Sequence, residues 1–205
     1  MLMIHTALHA EALALINHYK LKRQHHFKPF ACYASDSIFL IESGIGKLHT
    51  AAAISWATAS INIDTPAWLN VGMAGHLSHA VGACFLVRHV TDERNGQQLT
   101  AGQLLSDSIG REDLLTVDGP VDHYPIDGMV DMEGSAFFQT ARRFTPLEFI
   151  QSVKVISDNR QNPAQRLKTH AVEALFSPHI GLIDQIIRQL QSLRIQTIAQ
   201  TGDNI

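Results

Sequence analysis

The sequence has few charged side chains. Asp, Glu, Lys and Arg make up 17% of its 205 residues, where about a quarter is usual for a globular domain. This composition argues against a long acidic or basic surface face. The formal net charge is −3, which gives no electrostatic reason to expect a nucleic acid or an anionic membrane as a partner.

Cysteines and long apolar runs are also scarce. Cys32 and Cys84 both lie in apolar surroundings and form no CxxC motif, which predicts two buried, reduced thiols and a cytoplasmic protein. No segment reaches the roughly 18 uninterrupted apolar residues of a membrane span. The apolar N-terminus is short and lacks a basic lead, so it predicts a first strand and not a signal peptide.

Hydrophobic residues form 45% of the chain, enough for a substantial core in one domain over residues 1–205. Apolar patterning predicts strands that alternate with helices, hence an α/β sandwich. The predicted strands cover residues 2–8, 27–33, 38–42, 67–71, 83–91, 99–105, 113–117, 129–132 and 149–157. The predicted helices cover 9–20, 49–61 and 133–143, with an apolar stripe from 182 to 193 near the C-terminus.

Three predicted strands end in glycine or acid. The first runs into Gly72–Gly75, the second into Glu133 and the third into Asp158. Ligands of open α/β sheets lie beyond the carboxyl ends of the strands. These three ends therefore predict the position of a binding site.

Three acids are candidates for chemistry, and each has an ordinary alternative. Glu133 is placed to accept hydrogen bonds from vicinal hydroxyls, or is a first-turn acid that gains from the helix dipole. Asp158 can act as a general acid or hydrogen-bond acceptor, or cap the next turn. Glu11 can be a base, or a favourable charge at the start of a helix.

Four motifs occur together in one order, and their combination is more specific than any one of them. They are Ser43-Gly44-Ile45-Gly46-Lys47, Asn70-Val71-Gly72-Met73-Ala74-Gly75, Asp131-Met132-Glu133-Gly134-Ser135-Ala136 and Ile156-Ser157-Asp158. With Glu11, they resemble the nucleoside phosphorylase/uridine phosphorylase family, and within it most closely the methylthioadenosine/S-adenosylhomocysteine nucleosidases. The resemblance runs from about residue 3 to about residue 194. It implies a three-layer αβα sandwich with a central mixed β-sheet.

The resemblance also implies roles for individual residues. Glu11 matches the acid that activates water, and Asp158 matches the acid that protonates the leaving base at N7. Glu133 matches the residue that holds the ribose 2′ and 3′ hydroxyls. Substrate-binding positions are implied for Met73, Ala74, Gly75, Met132, Lys154 and Ser157, with Lys154 standing where such nucleosidases carry an arginine. The chemistry is coherent, because N-glycosidic cleavage passes through an oxocarbenium-like state, as in O-glycoside hydrolysis.

The sequence departs from the phosphorylases at their phosphate site. Asn70 stands where they often have arginine, and the N-terminal turn contains no arginine. Because phosphate recognition favours Arg or Lys, we predict water as the nucleophile. A phosphorylase that uses Lys47 or Lys154, and a non-catalytic nucleoside-binding protein, remain alternatives. Met73 replaces a small hydroxyl residue common in the family.

The segment between Val117 and Val130 is much shorter than in ordinary nucleosidases, where it supplies a gate and a base-stacking aromatic. Tyr124 or Phe137 can stack on a base, or simply pack in a turn. The identity of the substrate stays open for this reason. The family also implies a homo-oligomer, most simply a dimer.

Histidines do not form a recognisable metal motif. His76 and His79 lie three residues apart, but zinc needs three or four converging ligands. Neither an HExxH motif nor a Cys/His set occurs. We therefore predict no metal and no cofactor, with His76 as a possible ligand contact because it follows Gly75.

Overall fold

A computed structural model describes residues 1–61, 63–102, 109–121, 124–163 and 167–202. Its strands are β1 (Leu2–Thr6), β2 (Lys22–Arg23), β3 (Ala31–Ala34), β4 (Ile38–Glu42), β5 (Ala67–His76), β6 (Cys84–Asp92), β7 (Gln98–Thr100), β8 (Arg111–Thr116), β9 (Met129–Asp131) and β10 (Ile150–Asn159). Its helices are α1 (His9–Tyr19), α2 (Lys47–Ile61), α3 (Gly134–Ala141), α4 (Thr169–Phe176) and α5 (Ile180–Gly202).

Within the described residues, all ten strands belong to one mixed sheet. One part closes on itself, because β10 pairs with β6, β6 with β8, β8 with β9, β9 with β5, and β5 with β10. From β5 the sheet continues through β1, β4, β3 and β2. The closed part brings the ends of β5, β9 and β10 together, and this convergence creates the candidate site.

Helices cover both faces of the sheet, as the side-chain alternation of the strands requires. In β1, Leu2 and Ile4 belong to the hydrophobic cluster under α1, α4 and α5, whereas Met3 belongs to the cluster under α2 and α3. In β10, Val153 belongs to the cluster under α1, α4 and α5, whereas Ile156 belongs to the cluster under α2 and α3. The predicted three-layer αβα sandwich with a central mixed sheet is confirmed.

Several element boundaries differ from the prediction. The fifth strand continues through Gly72–Gly75 to His76, where a loop was expected, because these residues pair with β10. The short β2 and the helix α4 were not predicted. The strand expected over 99–105 is found as Gln98–Thr100, and residues 103–105 lie outside the described residues.

Among the described residues, no helix is both long and apolar enough to cross a membrane. Cys32 is buried and Cys84 is half-buried, and both are free thiols. Burial raises the pKa of each thiol to about 12. Both side chains therefore remain protonated and contribute to packing.

Phe176, at the end of α4, is 0% exposed in the cluster under α1, α4 and α5. We expect Phe176→Ala to lower the free energy of unfolding by about 3–5 kcal/mol, because it removes buried apolar surface and leaves a cavity. Phe144 is 40% exposed, so Phe144→Ala should change stability by less than about 1 kcal/mol. Urea unfolding of the two variants measures the difference, and similar losses would contradict this packing.

Candidate active site

One cavity of about 190 Å³ lies at the carboxyl ends of β1, β5, β9 and β10. Most of its wall is apolar, and four carboxylic acids and one phenol reach it from different elements. The lining consists of Ala7, Leu8, Glu11, Ile45, Met73, Ala74, Gly75, Val117, Gly119, Pro120, Val121, Tyr124, Val130, Asp131, Met132, Glu133, Ser157 and Asp158.

The structure brings eight of the nine predicted site residues to this cavity. They are Glu11, Met73, Ala74, Gly75, Met132, Glu133, Ser157 and Asp158. Lys154 does not line the cavity, so the prediction that it contacts the substrate directly is corrected. Strand alternation directs this side chain into the protein, where it is 1% exposed and ion-paired with Asp131.

Glu11 is buried at the third position of α1. Its Oε2 accepts the backbone N–H groups of Ala7 at 3.0 Å and Leu8 at 2.8 Å, as an acid in a helix-capping role does. Its Oε1 accepts the N–H of Met73 at 2.9 Å, a bond to β5 that helix capping does not require. Burial raises the pKa of Glu11, although the Met73 N–H and the charge of Lys154 act in the opposite direction.

Glu133 immediately precedes α3, but other side chains cap that helix. Asp131 Oδ2 accepts the N–H of Gly134 at 2.8 Å, and the Thr116 hydroxyl accepts the N–H of Ser135 at 2.8 Å. The Glu133 carboxyl is therefore free to face the cavity, where Oε1 accepts the N–H of Gly46 at 2.7 Å. Burial, with the nearby charge of Asp131, raises the pKa of Glu133 to about 7.

Asp158 reaches the cavity because of a bulge in β10. Ile156 pairs with Ala74 and Asp158 with Gly75, so Ser157 is an extra residue between them. Regular alternation would place Ser157 and Asp158 on opposite faces, but the bulge allows both to line the cavity. Asn159 caps the turn that follows, its Oδ1 accepting the N–H of Gln161 and of Asn162.

Both carboxylate oxygens of Asp158 accept a hydroxyl. Ser157 donates to Oδ1 at 2.5 Å, and Tyr124 donates to Oδ2 at 2.6 Å. Gly75 makes this arrangement possible, because a Cβ there would lie 2.6 Å from Asp158 Oδ2 and 2.8 Å from Tyr124 Cε1. Of the two aromatics considered for base stacking, Tyr124 is at the cavity and Phe137 is not, since Phe137 is 0% exposed in the core.

A buried ion pair lies behind the cavity wall. Lys154 Nζ is 2.7 Å from Asp131 Oδ2, and both side chains are 1% exposed. Burial works against the charged amine, but the carboxylates of Asp131 and Glu133 outweigh it and raise the pKa of Lys154. A Cβ on Gly72 would lie 3.2 Å from Lys154 Nζ and 3.3 Å from Glu11 Oε1, so this glycine lets both groups approach the same point of β5.

Lys47, the other lysine considered for phosphate, is also paired. Its Nζ lies 3.2 Å from Asp92 and 2.5 Å from Asp118. Among the described residues, the cavity wall contains no lysine or arginine. The described part of the site therefore offers carboxylates and apolar surface, without a free lysine or arginine.

A second polar cluster joins His76, His79 and Glu112, whose ligand atoms lie within 4.8 Å of one another. His79 Nε2 is 3.0 Å from Glu112 Oε1. The Nδ1 atom of His76 accepts the N–H groups of Ser78 and His79, which places the proton of the neutral ring on Nε2. This imidazole is therefore committed to holding the turn after β5, which leaves fewer ligands than zinc needs.

Sequence reasoning missed Asp131 and Thr116 and left Tyr124 as one of two alternatives. Asp131 stands in the motif with Glu133, and a sequence signal existed, because an acid three residues before Gly134 suits the cap of α3. Thr116 gives no such signal, since only the parallel pairing of β8 with β9 brings it to Asp131, at 2.7 Å.

Solved structures show what this architecture resembles. The 5′-methylthioadenosine nucleosidase of Arabidopsis thaliana superposes with a TM-score of 0.74, at 18% sequence identity, over 91% of this chain and 95% of that one. The chain has the fold of the methylthioadenosine nucleosidases. The sequence itself matches no family model and no curated protein.

Two bacterial 5′-methylthioadenosine/S-adenosylhomocysteine nucleosidases are also similar. The Neisseria meningitidis enzyme, in complex with methylthio-immucillin-A, gives a TM-score of 0.64 at 20% identity, over 78% of this chain and 87% of that one. The Streptococcus pneumoniae enzyme, in complex with 8-aminoadenine, gives 0.67 at 19% identity, over 93% and 98%. The nucleosidase fold therefore extends over nearly the whole chain.

The raised pKa of Glu133 predicts a pH-dependent effect on stability. Between the unfolded value of 4.5 and the folded value of about 7, the folded state binds more protons than the unfolded state, so Glu133 reduces stability as the pH rises. Glu133→Gln should therefore be more stabilising at pH 8 than at pH 5, by on the order of 2 kcal/mol. Urea unfolding at the two pH values tests this, with exposed Glu93→Gln as the control, and an equal effect at both would contradict it.

Proposed function

We propose that this protein hydrolyses the N-glycosidic bond of a purine-type nucleoside similar to methylthioadenosine or S-adenosylhomocysteine. The observation that carries the proposal is the convergence of Glu11, Glu133 and Asp158 on one cavity within a nucleosidase fold. Each acid comes from a different element, and none of the three is needed only as a helix or turn cap.

Glu133 binds the sugar in this proposal. Its carboxyl group faces the cavity beside Met132, and the Gly46 N–H holds Oε1 in place. A carboxylate fixed in this way accepts hydrogen bonds from the 2′ and 3′ hydroxyls of a ribose. It also stabilises the positive charge that develops on the sugar ring in an oxocarbenium-like transition state.

Glu11 acts as the general base that takes a proton from the attacking water. Three backbone N–H groups fix its position, so the geometry is set before the water arrives. Its raised pKa suits the role, because a base is most effective when its pKa approaches the working pH.

Asp158 supplies the proton, or the hydrogen bond, that the leaving base needs. Cleavage of the C1′–N9 bond leaves its electron pair on the purine, and a proton at N7 neutralises that charge. Asp158 lines the same cavity as Glu11 but comes from β10, whereas Glu11 comes from α1, and Ser157 positions one of the Asp158 oxygens. Acid and base on separate elements can serve the leaving base and the attacking water independently.

Water is the nucleophile that the charge distribution favours. Phosphate would require a cation at the cavity wall, and the lysines that could provide one are already paired, Lys154 with Asp131 and Lys47 with Asp92 and Asp118. Binding phosphate would break one of these pairs. Cleavage should therefore need no phosphate.

We propose further that the chain acts as one cytoplasmic domain in purine salvage and forms a homodimer. Ile45 lines the cavity and is 49% exposed, and Leu48, one turn further on, is 80% exposed. A second copy that covered these apolar side chains would remove them from water and shield the cavity from solvent.

A second candidate is binding without cleavage. It is favoured by the Tyr124 hydroxyl on Asp158 Oδ2, which occupies an oxygen that the leaving base needs. It is also favoured by Met73, because this side chain brings to the cavity no hydroxyl that would position the water.

The decisive experiment incubates the protein with methylthioadenosine, S-adenosylhomocysteine, adenosine, inosine and uridine, and follows free base by chromatography with and without phosphate. We expect base release at the same rate in both conditions. Asp158→Asn should lower the rate by about 10²–10⁴-fold, because it removes the proton donor for the leaving group.

Asp36→Asn serves as the matched control, because Asp36 is exposed and does not line the cavity; its rate should be unchanged. Release that depends on phosphate would make the protein a phosphorylase. Binding of a nucleoside without release of its base would support the second candidate. An absence of both binding and release would overturn the proposal.

A further inference from the structure

Tyr124 makes a contact that the proposed reaction does not use. Its hydroxyl donates to Asp158 Oδ2 at 2.6 Å, while the Ser157 hydroxyl holds Oδ1 at 2.5 Å. The carboxylate that would face the leaving base therefore has a protein hydroxyl on each oxygen. A ligand that needs a hydrogen bond with Asp158 must share one of these oxygens or displace its donor.

The ring of Tyr124 also takes up space. Its Cε1 atom lies 2.8 Å from the position that a Cβ on Gly75 would occupy, so the ring lies directly against the glycine of β5. Gly75 is one of the implied substrate-binding residues. The tyrosine therefore occupies space at a position where substrate is expected.

Neighbouring side chains hold Tyr124 in this position. It packs against a small apolar cluster on β8, β9 and the segment between them, which comprises Leu115, Val117, Val121, Ile126, Val130 and Met132. With the ring in place, the cavity measures about 190 Å³, below the roughly 300 Å³ at which pockets for drug-sized ligands usually begin. A ligand that extends beside Gly75 therefore competes with the ring of Tyr124 for that space.

We propose that Tyr124 is a specificity-determining residue that competes with the leaving base for Asp158 and for the space beside Gly75. The inference rests on the proposed function and deepens it. A purine that hydrogen-bonds with Asp158 Oδ2 must share this oxygen with the Tyr124 hydroxyl or displace it, and either lowers its affinity. A leaving group smaller than a purine loses less affinity through this competition, so Tyr124 makes the site selective for smaller bases.

The test measures the dissociation constant of adenine by calorimetry for the wild-type protein, Tyr124→Phe and Tyr124→Ala. The phenylalanine keeps the ring and removes the competing hydroxyl, so adenine should bind roughly tenfold more tightly, the range expected for one charge-assisted hydrogen bond. The alanine also removes the ring and should tighten binding at least as much. The KM for methylthioadenosine should fall in parallel.

Tyr19→Phe is the matched control. It removes a hydroxyl on α1 that donates to Asp184 on α5 at 3.2 Å. This change should leave adenine binding unchanged. Thermal melting verifies that each variant is folded, and Tyr124→Phe decides the question if Tyr124→Ala does not fold.

Two kinds of failure can be told apart. Weaker or unchanged adenine binding in Tyr124→Phe, with base release by the wild-type protein intact, would overturn the competition and leave the proposed function standing. Weaker binding in particular would show that the Tyr124 hydroxyl supports the base by hydrogen bonding. An absence of both adenine binding and base release in every variant would overturn the proposed function, and this inference with it.

Discussion

The ion pair between Asp131 and Lys154 joins the elements that form the cavity. Lys154 comes from β10, and Asp131 comes from the end of β9. Asp131 also accepts the hydroxyl of Thr116 on β8 and the first N–H of α3. One carboxylate on β9 therefore contacts β8, β10 and the start of α3, and through α3 it fixes the position of Glu133.

Both members of this pair are buried, so the loss of either one would have a large effect on the free energy of unfolding. Removing two charges from water costs several kcal/mol for each ion, which close pairing and additional hydrogen bonds offset. Glu11 and Glu133 add two further acids around a single lysine, so the cluster holds more potential negative than positive charge. Burial is the main cause of the raised pKa of both acids, and the charge of Asp131 adds to it for Glu133. With a pKa of about 7, Glu133 can hold a proton near neutral pH.

Much of this arrangement can be predicted from the sequence. The apolar runs of β1 and β4, within a chain where strands alternate with helices, indicated the layered fold, and the acids at strand ends indicated the edge of the sheet where a ligand would lie. Local pattern could not show that β10 contains a bulge at Ser157, because a bulge depends on the register with β5. Without the bulge, alternation would have separated Ser157 from Asp158.

Contacts between residues that lie far apart in the chain could not be predicted from the sequence either. Lys154 was expected to contact substrate, but its partner Asp131 lies on a different strand, and only the closed sheet brings the two together. Phe137 and Tyr124 were equivalent as candidate stacking residues, since both are aromatics near the ribose-binding motif. Tertiary packing separates them by placing Phe137 in the core and Tyr124 against Asp158.

The central claim is that Asp131 and Lys154 act as one unit that supports the site. A double-mutant cycle with Asp131→Asn, Lys154→Met and both together, followed by urea unfolding, tests it most directly. Each single change should destabilise the protein by about 3–5 kcal/mol, because it leaves the other charge buried and unpaired. The double variant should lose about 1–3 kcal/mol less than the sum of the two. Losses that add to within about 0.5 kcal/mol would contradict the account.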